Sequence, residues 1–187
     1  MNPVKVAIIT GSTRPGRHSD VVARWVHEKA SQRPDESFEL VDIADYHLPL
    51  FDEAMPPALG NYTRPHTKKW AEKINSFDGF VFVTPEYNHS IPAALKNAID
   101  FLHREWHNKA AGFVSYGGSA SGGRAVEHLR VVLAEVMVAT VRSQVMLSMI
   151  HDFENLSTFK PGSHHDKFLG ETLDQVISWS KALRTIR

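Results

Sequence analysis

Short apolar runs alternate with amphipathic stretches five times along the 187 residues of this chain. Runs rich in β-branched residues, such as VKVAIIT, read as strands at residues 4–10, 38–43, 79–84, 112–116 and 141–149. The first, third and fourth are almost continuously apolar, as expected of parallel strands covered on both faces. Helical spacing of apolar residues recurs at 20–32, 67–76, 92–103, 124–138 and 167–185; Val22, Trp25 and Val26 fall on one face of the first, Trp70 and Ile74 on one face of the second. Five such units in one short chain predict an α/β fold of the doubly wound type with a parallel sheet. With no repeat and no long linker, residues 1–187 read as one domain.

Two segments break the alternation. Residues 44–65 carry four prolines and little periodicity, too long for an ordinary connection, and read as a lid, an oligomer contact or a meandering surface loop. Residues 151–166, with Pro161, Gly162, His164 and His165, read as an exposed loop.

Composition narrows the chemistry. Lys plus Arg and Asp plus Glu both number 21, so no global field favours nucleic acid or an anionic membrane. The absence of cysteine removes disulfides, thiolate catalysis and cysteine-ligated metal, and fits a cytoplasmic protein. No stretch reaches the roughly 18 apolar residues of a membrane span, and no basic segment precedes an apolar one at the start, so a soluble, unprocessed chain is expected.

The connection TGSTRPGRHSD, residues 10–20, lies between the first strand and the first helix. It spaces Gly11 and Gly16 as a P-loop does, but Arg17 and His18 stand where lysine and a magnesium-binding hydroxyl are needed. It also fails the dinucleotide fingerprint, because Thr13 occupies the middle glycine position. What is left is a set of hydroxyls, two arginines and the N–H groups of a helix start. These are the parts that enclose one phosphate monoester. The plainer alternative is that Ser19 caps the helix and the arginines point into water.

Two more unusual loops follow strands at the end of the sheet where doubly wound folds bind ligands. TPEYNHSIPAALKNAIDFL begins at Thr84 and offers Glu86, Tyr87 and Asn88; SYGGSASGGR, residues 115–124, has four glycines that let backbone approach something flat. With GSTRPGR at 11–17, TPEYNHSIPAALKNAIDFL at 84–102 and SYGG at 115–118, nearly the whole chain resembles the NADPH-dependent FMN reductases, a family that includes quinone, azo-dye and chromate reductases.

The resemblance implies a flavodoxin-like, three-layer α/β/α fold with a five-stranded parallel sheet in the order 2-1-3-4-5. It implies that Ser12, Arg14, Arg17 and Ser19, with His18 beside them, hold the FMN phosphate. Pro85, Glu86, Tyr87 and Asn88 would line the ribityl chain and the ring edge, and Ser115, Tyr116, Gly117 and Gly118 would meet the pyrimidine end. The implied activity is hydride transfer from NADPH or NADH through FMN to a small-molecule acceptor such as free flavin, a quinone, an azo compound or a metal oxyanion. No side chain is assigned as a catalytic acid or base. Family members are usually dimers or tetramers, so a homodimer or homotetramer is expected. A flavodoxin-type electron carrier is the rival reading; carriers that steer onto basic partners are strongly acidic, and this chain is neutral.

Other signals are weak. His103 and His107 have the spacing of two zinc ligands, but Glu105 is misplaced and no third ligand is evident. The glycines at 117 and 118 do not form the G-x-S-x-G of a serine hydrolase. FLHREW, 101–106, reads equally as a subunit contact or a helix end packed on the core.

Overall fold

The computed structural model describes residues 3–187; residues 1 and 2, part of the span read as one domain with an unprocessed start, lie outside them. Five strands, β1 (Lys5–Thr10), β2 (Ser37–Asp42), β3 (Gly79–Pro85), β4 (Lys109–Gly117) and β5 (Val138–Ser148), pair in parallel in the order β2-β1-β3-β4-β5. β3 is buried at every residue and β4 at all but its last, which is why their sequences carry no polar alternation.

Helices α1 (Ser19–Ala30) and α5 (His164–Leu183) cover one face of the sheet. Helices α2 (Pro65–Asn75), α3 (Ala93–Asp100) and α4 (Gly123–Glu135) cover the other. Val22, Ala23, Val26 and Ala30 form the buried stripe of α1 and meet Leu169, Leu173 and Val176 of α5 around β1 and β3. The opposite layer is aromatic: Trp70, Trp106, Phe80, Phe82 and Phe113 pack together, and Trp70 Nε1 donates to Ala98 O at 2.8 Å. Fully burying one large apolar side chain of this kind stabilises the fold by roughly 1.5–3 kcal/mol.

The structure departs from the sequence reading at several ends. α4 stops at Glu135 and β5 starts at Val138, because Met137 adopts φ 55 and turns the chain between them. α3 ends at Asp100; a 3₁₀ turn over Arg104–Trp106 follows, and both aromatics of FLHREW, Phe101 and Trp106, are packed in the core. Residues 44–65 are pinned rather than loose. They hold 3₁₀ turns at Ile43–Tyr46 and Pro57–Leu59, and buried Glu53 accepts from Thr63 N, Thr63 Oγ1 and Arg64 N. Asn97 of α3 donates to Pro49 O and accepts from Phe51 N.

Residues 151–166 are likewise not a plain exposed loop. β6 (Phe153–Glu154) and β7 (Thr158–Phe159) form a small hairpin, and Asp152 is buried against His165 Nε2 at 3.0 Å.

The switch point of the sheet lies between β1 and β3, whose C-terminal ends diverge to α1 and α3. Gly11 closes this junction, donating its N–H to Val83 O at 2.8 Å. A Cβ there would lie 2.9 Å from Val83 O and 3.0 Å from Leu95 Cδ2, so only glycine fits. Among the described residues no helix is long and apolar enough to cross a membrane.

Candidate functional site

The three loops singled out in the sequence meet at the C-terminal end of the sheet. The loop after β1 is folded by Ser12 and Arg17. Buried Ser12 accepts Arg14 N at 3.3 Å, and its Oγ lies 3.0 Å from Tyr87 Oη of the loop after β3. Arg17 Nη1 donates to Ser12 O at 2.6 Å, its Nε meets Asp20 Oδ1 at 2.5 Å, and its Nη2 pairs with Asp42. Burial works against this cation, but its hydrogen bond to Asp20 and the charges of Asp42 and Asp20 hold its pKa above the usual value.

Arg17, which the resemblance assigns to the FMN phosphate, is therefore turned inward, its guanidinium engaged by Ser12 O, Asp20 and Asp42. The reason is register. Thr10 of β1 lies opposite Asp42 of β2, which brings that carboxylate under the loop.

The other loop residues divide by exposure. Arg14 is exposed, and its guanidinium enters no ion pair among the described residues. His18, not Ser19, is the residue preceding α1, and its ring packs on Phe153 with centroids 5.0 Å apart. Ser19 is buried as the first residue of the helix, which corrects the alternative that it caps α1. The leading N–H groups of a helix have no acceptor within it and carry partial positive charge. An exposed free arginine beside such a helix start is a donor set that fits a phosphate.

The loop after β3 turns tightly. Tyr87 N donates to Ser90 O at 2.9 Å and Ser90 N returns to Tyr87 O at 3.0 Å, with Asn88 at φ 49 and His89 at φ 67. Two consecutive positive φ values make this a primed turn, and it leaves Asn88 at the exposed tip. Pro85 ends β3 within the sheet, and the Glu86 side chain is enclosed and paired with Arg124.

The loop after β4 offers backbone rather than side chains. Ser115 Oγ donates to Ser121 O at 2.9 Å, so this hydroxyl folds its own loop instead of facing outward. Tyr116 is buried towards α1; burial pushes its phenol up to about 12, with Ser19 pulling the other way. Only Gly117 and Gly118 remain at the rim. A Cβ at Gly117 would come within 2.9 Å of Gly122 N, whereas above Gly118 there is open space. Arg124, in the first turn of α4, and Ser90 also contact these loops, Arg124 through Glu86 and Ser90 through Tyr87, although neither was among the site residues read from the sequence. A basic residue directly after a glycine pair at a helix start was the available signal for Arg124.

A groove of about 370 Å³ is lined by Thr13 of this loop together with Ile43, Leu48, Ala94 and Asn97 among others. It adjoins the loop after β1 and has mixed polar and apolar walls. Elsewhere, His103 and His107 do meet, Nε2 to Nδ1 at 3.0 Å, but no cluster of three His, Cys, Asp or Glu side chains placed to hold a metal occurs among the described residues.

Comparison with known proteins gives a consistent picture. The profile of the family described as NADPH-dependent FMN reductase matches residues 4–152. An NAD(P)H-dependent FMN reductase of Schizosaccharomyces pombe is 38% identical over 169 residues, covering 89% of this chain and 84% of its own. A quinone reductase of Pseudomonas putida is 31% identical over 193 residues, covering 97% of each. Among solved structures, the flavoenzyme NAD(P)H:(acceptor) oxidoreductase FerB of Paracoccus denitrificans superposes with a TM-score of 0.74 at 21% identity, covering 96% of this chain and 98% of its own, which shows the shared fold.

Proposed function

The chain belongs to the NADPH-dependent FMN reductase family, and from that premise we propose that its three rim loops hold FMN, with the phosphate at Arg14 and the start of α1. It is an NAD(P)H-dependent oxidoreductase that works through FMN on small-molecule acceptors. The observation that carries the site assignment is the free, exposed Arg14 beside a helix start at the switch point of the sheet.

When bound, FMN would supply the redox chemistry that links oxidation of NAD(P)H to reduction of the acceptor. The protein's share is binding and orientation. Arg14 and the α1 N-terminus anchor the phosphate, Ser12 and Tyr87 fix the distance between two loops, Asn88 borders the ring edge, and the backbone of Gly117 and Gly118 leaves room for a flat ring. Arg17 stiffens the first loop from beneath instead of touching the ligand. Pro85, Glu86, Ser115 and Tyr116 shape the rim from inside, and no side chain is required as a proton donor.

We further infer a single domain in the cytoplasm that assembles as a homodimer or homotetramer. An apolar groove lined by Ile91, Val131 and Val132 between α3 and α4, with Val131 74% exposed, supports contact with a second copy.

Steady-state oxidation of NADPH and of NADH by FMN-loaded protein, with a quinone and no added reductase, tests the activity. Turnover with parallel double-reciprocal lines is expected, because donor and acceptor use one flavin face in turn. Absence of turnover with either nicotinamide contradicts the reading.

A further inference from the structure

The loop after β3 is tied to the first turn of α4 by an ion pair that the three-loop description leaves unused. Glu86 Oε1 accepts from Arg124 Nε at 2.6 Å, and Arg124 Nη2 reaches the same oxygen. The Glu86 side chain is only 7% exposed, and its second oxygen, Oε2, is enclosed without a hydrogen-bond partner. A carboxylate so placed is unfavourable unless its counter-ion stays with it.

The neighbours of this pair are the rim itself. Pro85 lies opposite Tyr116 in the sheet, Glu86 N donates to Tyr116 O at 3.2 Å, and a Cβ on Gly117 would stand 3.5 Å from Glu86 Cβ. The next residue, Tyr87, reaches Ser12. One chain of contacts, Arg124 to Glu86 to Tyr87 to Ser12, thus links all three loops.

We propose that Arg124 is a positioning residue for the flavin: acting through Glu86, it holds the loop at 85–88 at the spacing from Gly117 and Gly118 that admits the ring. The inference rests on the FMN reading above. Without Arg124 the Glu86 carboxylate is left enclosed and uncompensated, and it can stay ionised only by turning out to water, carrying Tyr87 away from Ser12. A second tie, His128 Nδ1 to Ser90 Oγ at 3.0 Å, keeps the loop attached but cannot neutralise Glu86.

The test is a set of flavin titrations on Arg124→Gln, Arg124→Lys and the double variant Glu86→Gln/Arg124→Gln, with a melting curve for each. Arg124→Gln should weaken FMN and riboflavin alike by roughly tenfold, within the usual range for coupled sites, since both carry the ring. The double variant should recover most of that loss, because a neutral amide needs no counter-ion, and Arg124→Lys should fall between.

Three results overturn the proposal: unchanged flavin affinity in Arg124→Gln, a double variant no better than the single one, or a raised KM for NADPH with flavin affinity intact, which would put Arg124 on the nucleotide. If Arg124→Gln does not fold, the comparison of Arg124→Lys with the double variant decides. Wild-type protein that takes up no FMN overturns the FMN reading itself and this inference with it.

Discussion

Tyr87 Oη and Ser12 Oγ lie 3.0 Å apart although 75 residues separate them in the chain. This contact fixes the gap between the loop after β1 and the loop after β3. Either hydroxyl can donate. Ser12 Oγ also accepts Arg14 N, so the strut reaches the residue that carries the free guanidinium.

Tyr87→Phe removes the strut and keeps the ring. A neutral hydrogen bond contributes about 0.5–1.5 kcal/mol, so FMN affinity should fall by roughly two- to tenfold with the melting temperature little changed. Equilibrium titration of the apo-protein checks this. An unaltered dissociation constant would mean that the two loops are set independently.

Arg17→Ala should act on the fold before it acts on the ligand. The guanidinium meets Ser12 O, Asp20 and Asp42, and Asp20 is partly in solvent, so a loss of about 1–2 kcal/mol is expected. Urea unfolding measures it. Full stability combined with an FMN loss as large as that of Arg14→Ala would return Arg17 to the phosphate, as its place in the sequence suggested.

Lys109 gives the protein an alkaline dependence unrelated to the site. Its ammonium is buried beside Phe80, donating to Ile74 O at 2.8 Å, and burial lowers its pKa from 10.5 to about 7. Between those values the unfolded chain binds a proton that the native state does not, so stability rises with pH across this window. Below about 7 both states are protonated and the cost is present in full. Lys109→Met should remove this slope from urea midpoints taken between pH 7 and 10; an unchanged slope assigns the titration to another group.

The central strands were legible because burial on both faces writes itself as unbroken apolar sequence, as in β3. The place of the loop that carries Arg14 was legible too, since it lies between a clear strand and a clear helix. The inward role of Arg17 was not. Its partner Asp42 is 25 residues away in sequence and reaches it only through the pairing of β1 with β2.

The turn at Tyr87–Ser90 was hidden for a different reason, because its positive φ values fall on Asn88 and His89 and no glycine marks it. The end of α4 was misread by three residues because apolar Val136 and Val138 continue the helical spacing past the turn at Met137.

The most direct test of the account is a flavin fluorescence titration of wild-type protein and Arg14→Ala with FMN and riboflavin. Hydrogen bonds to charged groups contribute about 1.5–3 kcal/mol, and about 1.4 kcal/mol is tenfold in affinity. Wild-type protein should prefer FMN, and Arg14→Ala should lose FMN affinity by roughly tenfold to a hundredfold while binding riboflavin as before. Equal affinity of the wild type for the two flavins, or an Arg14→Ala variant that holds FMN normally, would contradict the assignment of the loop after β1 to the FMN phosphate.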